Sequence, residues 1–318
     1  VDHDAPAPAL NPAQSAVLAV LGARPHERPA FDPRLRDELR QQLEDALTPV
    51  ANRIPPGETL WLSKYLLGLV HGCEGLFLAQ DGTPFAWSPA TVRGTISHKA
   101  IELSLAWRGD PSAGELVEAA LATLIASTDS LSDYLAALPE GERAEVRGEA
   151  TERVNLFLEC FPPLEPRWRP VAESRLRADL NGDRIVLAGK VDLSVGRAHG
   201  TQAGKVLIDL KTGSFAPHHH EDLRFYALIE TLRLGVPPRL VASYYLDGAR
   251  LQEEVVTLDT LSCTVERVVA AAGLIVALRH DDRTPVLKPG PPCRWCPQRS
   301  TCDVGQQHLR EQDDPSGW

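Results

Sequence analysis

Methionine is absent from this chain of 318 residues, aromatic residues make up only 6%, and lysine is scarce beside arginine. With 26 prolines and many alanines, that pattern reflects coding bias and excludes little. Other absences exclude more. No apolar run approaches the roughly 20 residues of a bilayer span, and the first residues lack the basic and apolar regions of a secretory signal. A cytoplasmic protein without a membrane partner is therefore expected. Six cysteines without such a signal argue for reduced thiols or metal ligands, not a disulfide framework. A net charge of −10 argues against a protein that coats nucleic acid, although local Lys and Arg can still contact phosphate. There is no internal repeat, P-loop, dinucleotide fingerprint or helicase motif. Any unwinding of a duplex would have to come from a partner.

Composition is otherwise that of a globular chain, 43% hydrophobic and 24% charged. Residues 1–33, rich in Pro and Ala, are expected to form a loose lead-in. A helical region over 34–165 follows. In it Leu35, Leu39, Leu43 and Leu47 recur at helical spacing, and helices are expected over 34–50, 59–71, 93–108, 114–138 and 141–160. The pattern then turns to strands. Runs at 170–180 and 184–195 flank Asn181-Gly182, a hairpin signal, and a third strand covers 204–211. A helix over 219–234 stops at Gly235, strands at 239–246 and 250–257 follow, and a helix over 259–279 leads to a Pro-rich cysteine loop. The core thus spans 166–285 and the loop and tail 286–318.

Side chains at i and i+2 of a strand share a face. Val206, Ile208 and Leu210 point one way, and Asp209 and Lys211 the other. On the preceding strand Ile185, Leu187, Val191 and Leu193 make an apolar face, with Lys190 and Asp192 opposite. Pairing of the two strands can bring Asp192 beside Asp209, an arrangement unfavourable unless a cation lies between them. Oxygen ligands of this kind suit Mg²⁺ or Mn²⁺, which bind a scissile phosphate and acidify a bound water. A lysine alongside can orient that water. Taken alone, Asp-x-Lys reads as a solvent-facing strand edge ending in a Thr-Gly turn. Four arginines, Arg167, Arg169, Arg175 and Arg177, fall within eleven residues, and their ordinary explanation is a solvated strand face. The run His218-His219-His220 fits a solvated helix start, since three successive histidines cannot all face one ion.

Cys293, Cys296 and Cys302 form a C-x2-C-x5-C cluster. Soft thiolates select zinc or iron–sulfur clusters. A zinc site made of the trio plus His308 is chemically reasonable but leaves Cys73 unused. Cys160 and Cys263 fall in helical stretches and read as buried apolar residues.

Gly189-Lys190-Val191-Asp192 followed by Ile208-Asp209-Leu210-Lys211-Thr212-Gly213 resembles the signature of the PD-(D/E)XK nuclease superfamily, more narrowly its RecB-like exonuclease group. Gly94, His98 and Glu102 resemble that group's Gly…His…Glu helix, and Glu173 stands where a supporting acid often lies. Leu223-Arg224-Phe225-Tyr226-Ala227 resembles its Gln-x-x-x-Tyr helix, except that Asp222 replaces the glutamine. The likeness runs from about residue 60 to 305. It implies an α/β, restriction-endonuclease-like mixed sheet flanked by helices, with an N-terminal helical region and a C-terminal cysteine cluster. It further implies a Mg²⁺- or Mn²⁺-dependent deoxyribonuclease, exonucleolytic, serving DNA repair or recombination on single strands or duplex ends, with a helicase subunit as candidate partner. His98, Asp192 and Asp209 would be the metal ligands, and Lys211, Glu173 and Tyr226 would assist. Members of the AddB and CRISPR-associated type hold a 4Fe–4S cluster on one cysteine before the core and three after it, a layout that Cys73, Cys293, Cys296 and Cys302 match. The rival readings are a non-catalytic nucleic-acid-binding or scaffold subunit and a zinc-binding regulator.

Overall fold

Caps set the helix starts in this computed structural model, which describes residues 9–216 and 219–313. Asn11 caps α1 (Pro12–Leu21), so part of the expected loose lead-in is ordered helix. Residues 1–8 of the lead-in, like His218, lie outside the described residues. α2 (Leu35–Ala51) buries Leu35, Leu39, Leu43 and Leu47 along one stripe. The stretch expected as helix over 59–71 instead opens with a strand, β1 (Leu60–Leu62). Only then does the Ser63 cap start α3 (Lys64–Gly72). Leu60 and Leu62 face inward and Trp61 outward, a period of two that helical spacing in the following residues conceals.

After α4 (Glu74–Gln80) come α5 (Pro89–Ser104), α6 (Ala113–Ser127), α7 (Asp129–Ala137) and α8 (Glu140–Cys160). They pack together around Val92, Ile96, Leu116, Leu131 and Val154. One helix was expected over 114–138. Extended backbone at Thr128 (φ −144°, ψ 92°) splits it in two.

The remaining elements build a six-stranded mixed sheet from β1, β2 (Val171–Leu180), β3 (Ile185–Val195), β4 (Val206–Lys211), β5 (Leu240–Tyr245) and β6 (Arg250–Val255). β4 and β5 run parallel, joined by the crossover helix α9 (His219–Leu234), and β5 and β6 form a hairpin. α10 (Leu258–His280) and α11 (Asp303–Asp313) complete the chain. β3 is the hub. β2 pairs antiparallel along one edge of it, so β1 and β4 must share the other. β1 takes only Ile185–Leu187, in parallel, and β4 only 193–195, antiparallel. Residues 188–192 of β3 therefore have no ladder partner on that edge.

Two cores sandwich the sheet. α2, α3, α9 and α10 cover Ile185, Leu187, Val191, Leu207 and Val241 on one face. α1 and α8 cover Leu193, Val206, Ile208, Leu210 and Tyr244 on the other. This corrects the expectation that Leu193 shares a face with Val191. The β2–β3 register skips Glu173 and Asp192, and Glu173 adopts a left-handed backbone (φ 52°), so the alternation breaks there. α10 corrects a second expectation. It is long and apolar enough to cross a membrane (mean hydropathy 1.8), yet half of that window is buried and Leu261, Val265, Val268 and Ile275 pack in the core.

Candidate metal centre and cysteine cavity

α5 starts on a capping box between Ser88 and Thr91, and its four-residue spacing puts Gly94, His98 and Glu102 on one side of the helix. A Cβ at Gly94 would lie 3.2 Å from Thr212 Oγ1, so glycine lets α5 cross close over the end of β4. His98 Nδ1 thereby comes within 3.3 Å of Asp192 Oδ1. One ligand atom each from His98, Glu173 and Asp192 lie within 4.8 Å of one another, the only such group among the described residues. Asp192 Oδ2 accepts a hydrogen bond of 2.7 Å from the Leu210 N–H, in the gap where β3 and β4 are not paired. The carboxylate is thus a wedge between strands. Glu173 is held in its left-handed conformation, which costs about 1–3 kcal/mol in a residue with a Cβ, and it ion-pairs with Lys190. Burial opposes charge on the His98 imidazole. The Asp192 carboxylate outweighs it, with Asp209 and Glu173 behind, and the pKa is raised above its ordinary value.

Asp209, 2% exposed, faces two ammonium groups. Lys64 Nζ donates to Oδ1 at 2.9 Å, and Lys211 Nζ lies 2.6 Å from Oδ2. Burial would raise the Asp209 pKa, but Lys64 and Lys211 together hold it well below the carboxylate range. Oδ2 meets Lys211 as an ion pair, without an aligned hydrogen bond. The Asp209 carboxylate, with the His98–Glu173–Asp192 group, gives a hard, oxygen-rich donor set that fits a divalent cation.

Asp222, in the first turn of α9, lies 3.7 Å from Lys64 Nζ and 3.4 Å from Lys211 Nζ. Where the family pattern has a neutral amide, this chain carries a charge balanced by a second lysine. Lys64 was not foreseen from sequence, and lysine scarcity is the one signal that could have found it. Of only six lysines, Lys64, Lys99, Lys190 and Lys211 all line one cavity of about 940 Å³ with His98, Asp192 and Asp209. Tyr226 is buried, its ring 4.9 Å from Lys64 Nζ, and burial pushes its hydroxyl up to about 12.

The arginine run divides. Arg175 lines the same cavity, Arg177 stacks on Trp61 at 4.9 Å and bonds to Asp179, and Arg167 and Arg169 line a separate cavity. Of the histidine run, His219 is bonded to the Tyr245 hydroxyl at 2.8 Å.

Cys73, at the junction of α3 and α4, and Cys293, Cys296 and Cys302 line one cavity of about 600 Å³, and His308 does not. No three of these sulfurs fall within 4.8 Å of one another, whereas tetrahedral zinc needs thiolates about 3.8 Å apart. The Gly290 and Gly305 N–H groups donate to Cys293 and Cys302 Sγ at 3.5 and 3.4 Å. Cys263 is exposed and Cys160 half-buried, contrary to the expected burial of both.

A polar clip also joins the two ends. The Glu74 carboxylate, 5% exposed, accepts from Arg283 and from the Val286 N–H, and Leu287 packs on Gly75. Burial raises the Glu74 pKa, but the Arg283 hydrogen bond outweighs it and the net shift is downward from 4.5. A depressed carboxylate contributes stability above its unfolded pKa and loses it as pH falls through the folded value. Acidification below about pH 4.5 should therefore release the tail before the sheet unfolds. Limited proteolysis across pH 3–6 checks this: early cleavage after residue 283 is expected in acid, and Glu74→Gln should show it at neutral pH.

A histidine and carboxylates beside a lysine, at a break in a mixed sheet, are the apparatus of a metal-assisted phosphodiester hydrolase. The chain belongs to the PD-(D/E)XK nuclease superfamily, whose family model matches residues 59–303. It is a nuclease by family, its fold is the restriction-endonuclease-like one, and nucleic acid is its partner class. The fold is similar to a candidate exonuclease from Eubacterium rectale (11% identity over 78% of this chain and 87% of that one, TM-score 0.44). It is more distantly similar to SSO0001 (13%, 84% and 94%, TM-score 0.33) and to Rai1 of Scheffersomyces stipitis (10%, 89% and 81%, TM-score 0.27). These likenesses are too remote to bear on activity. No curated protein matches the sequence.

Proposed function

We propose that the protein is a Mg²⁺- or Mn²⁺-dependent deoxyribonuclease of the RecB-like group, exonucleolytic, acting in DNA repair or recombination. The observation that carries this reading is the convergence of His98, Glu173 and Asp192 within 4.8 Å, beside the buried Asp209 carboxylate and Lys211. These residues would hold the ion. When bound, it supplies a Lewis acid for the scissile phosphate and lowers the pKa of a coordinated water. Lys211, held by Asp209 and Asp222, is placed to orient the attacking water or offset phosphate charge. Lys99, Lys190 and Arg175 line the cavity beside its carboxylates and are placed to meet the phosphates of a polyanion. Glu173 shapes the cavity by turning β2 at the centre, and Tyr226, buried behind it, supports Lys64. Strand unwinding falls to a helicase partner. Duplexes and single strands labelled at either end distinguish the modes: mononucleotide release from one end supports an exonuclease, and internal fragments with both ends retained sink that part of the reading.

We further propose that Cys73, Cys293, Cys296 and Cys302 hold a 4Fe–4S cluster, joining residues over two hundred positions apart. Cys73, which a zinc site made of the trio and His308 would leave unused, lines the same cavity as the trio and favours a four-cysteine cluster. Anaerobically purified protein should be brown and contain about four iron and four sulfide per chain. Cys293→Ser should lose the colour and expose the tail to protease. Colourless protein with one zinc per chain would overturn the cluster.

A further inference from the structure

A second basic cavity, of about 450 Å³, lies at the other end of the β3–β4 pair from the metal centre. Arg28, Arg167, Arg169, Arg197 and Arg239 line it, and no aspartate or glutamate does. In a chain of net charge −10 that segregation needs a cause. Arg28 and Arg239 are half-buried, and each donates only to backbone carbonyls, Arg28 to Ala23 and Arg239 to Leu21. Neither has a carboxylate within ion-pair distance among the described residues. The cavity is also built for them. A Cβ at Gly204 would lie 2.2 Å from the Arg197 carbonyl, so the close backbone approach requires glycine, and it would also crowd Arg28 Nη1 at 3.1 Å. The Gly196 N–H donates to the Trp168 carbonyl at 2.7 Å, fixing the turn that presents Arg167 and Arg169 at the rim. Burial depresses the Arg239 pKa and neighbouring Arg28 depresses it further, with Glu27 opposing them only in part.

The lining is not only cationic. Trp168, Phe161 and Leu164 give it an apolar wall, and its volume falls in the range of small-molecule sites, about 300–1,000 Å³. Guanidinium groups suit phosphate oxygens, which they bind bidentately, and an aromatic wall suits a nucleobase. We propose that this cavity binds a nucleotide phosphomonoester, its phosphate against Arg28 and Arg239 and its nucleoside along Trp168. Free mononucleotide and the phosphorylated end of a strand share that chemistry. No residue of the metal centre lines this cavity.

The test is calorimetric titration of the full chain in EDTA. The probes are inorganic phosphate, a nucleoside 5′-monophosphate and a short oligonucleotide with or without a 5′-phosphate. The monophosphate should bind wild type and Lys211→Ala alike, more tightly than inorganic phosphate. Binding should weaken at least about tenfold in Arg239→Gln and in Arg197→Gln. Arg197 is exposed, so its variant remains decisive if Arg239→Gln fails to fold. Competition by the phosphorylated oligonucleotide alone identifies a strand end as the source, and competition by neither oligonucleotide identifies the free nucleotide. No binding at millimolar concentration would overturn the proposal. So would inorganic phosphate binding as tightly as the nucleotide, or binding lost in Lys211→Ala but kept in both arginine variants.

Discussion

Asp192→Ala should abolish metal-dependent cleavage, by a factor of about a thousand or more, and also destabilise the fold. The two effects have separate causes. One carboxylate oxygen faces His98 and the metal centre, and its loss removes a ligand on which the proposed chemistry depends. The other accepts from the Leu210 N–H between β3 and β4. Alanine leaves that buried donor unsatisfied, at a cost of about 1–3 kcal/mol. Asp192→Asn separates them, because the amide oxygen can still accept from Leu210 while the negative charge is gone. Activity should be lost in both variants and stability in urea recovered in the asparagine one. Wild-type stability in Asp192→Ala would show that the wedge is not what spaces the strands.

Gly189→Ala is the second large effect. A Cβ there would lie 2.3 Å from Tyr226 Cε1 and 3.0 Å from Cδ1, so the ring must move. It has little room, being buried against Phe225 with Lys64 above it. Overpacking of this kind costs about 1–3 kcal/mol, and displacing the ring also disturbs the lysine that holds Asp209. Urea titration should show the loss, and Tyr226→Leu in the same chain should recover part of it. A double-mutant cycle reads the coupling directly. Additive losses would mean that the two side chains do not meet.

Much of the site was legible because alternation along a strand is a local property. Asp209 and Lys211 share a side by spacing alone, and Val206, Ile208 and Leu210 occupy the opposite core. His98 and the pairing of Cys73 with the later trio were reachable through the resemblance to the family's motifs, and the Cys293, Cys296, Cys302 cluster through its own spacing. What escaped depends on distant contacts. Lys64 reaches Asp209 because three residues of β1 pair in parallel with the start of β3, and so short a strand was hidden by the helical pattern after it. The change of face between Val191 and Leu193 follows from one left-handed residue, Glu173, on the neighbouring strand. The arginine run looked like one feature but serves three places: Arg167 and Arg169 precede β2, and Arg175 and Arg177, on one face of it, reach different neighbours.

The central claim is that this centre, once it holds a divalent ion, cuts DNA with the help of Lys211. End-labelled DNA incubated with anaerobically purified protein, with Mn²⁺ or with EDTA, beside Lys211→Ala, tests it most directly. The account predicts cleavage with metal, none with EDTA, and a loss of about 10²–10³-fold in a Lys211→Ala protein that remains folded, since Lys64 still pairs with Asp209. Cleavage that persists in EDTA, or in the Lys211→Ala protein at the wild-type rate, would contradict it.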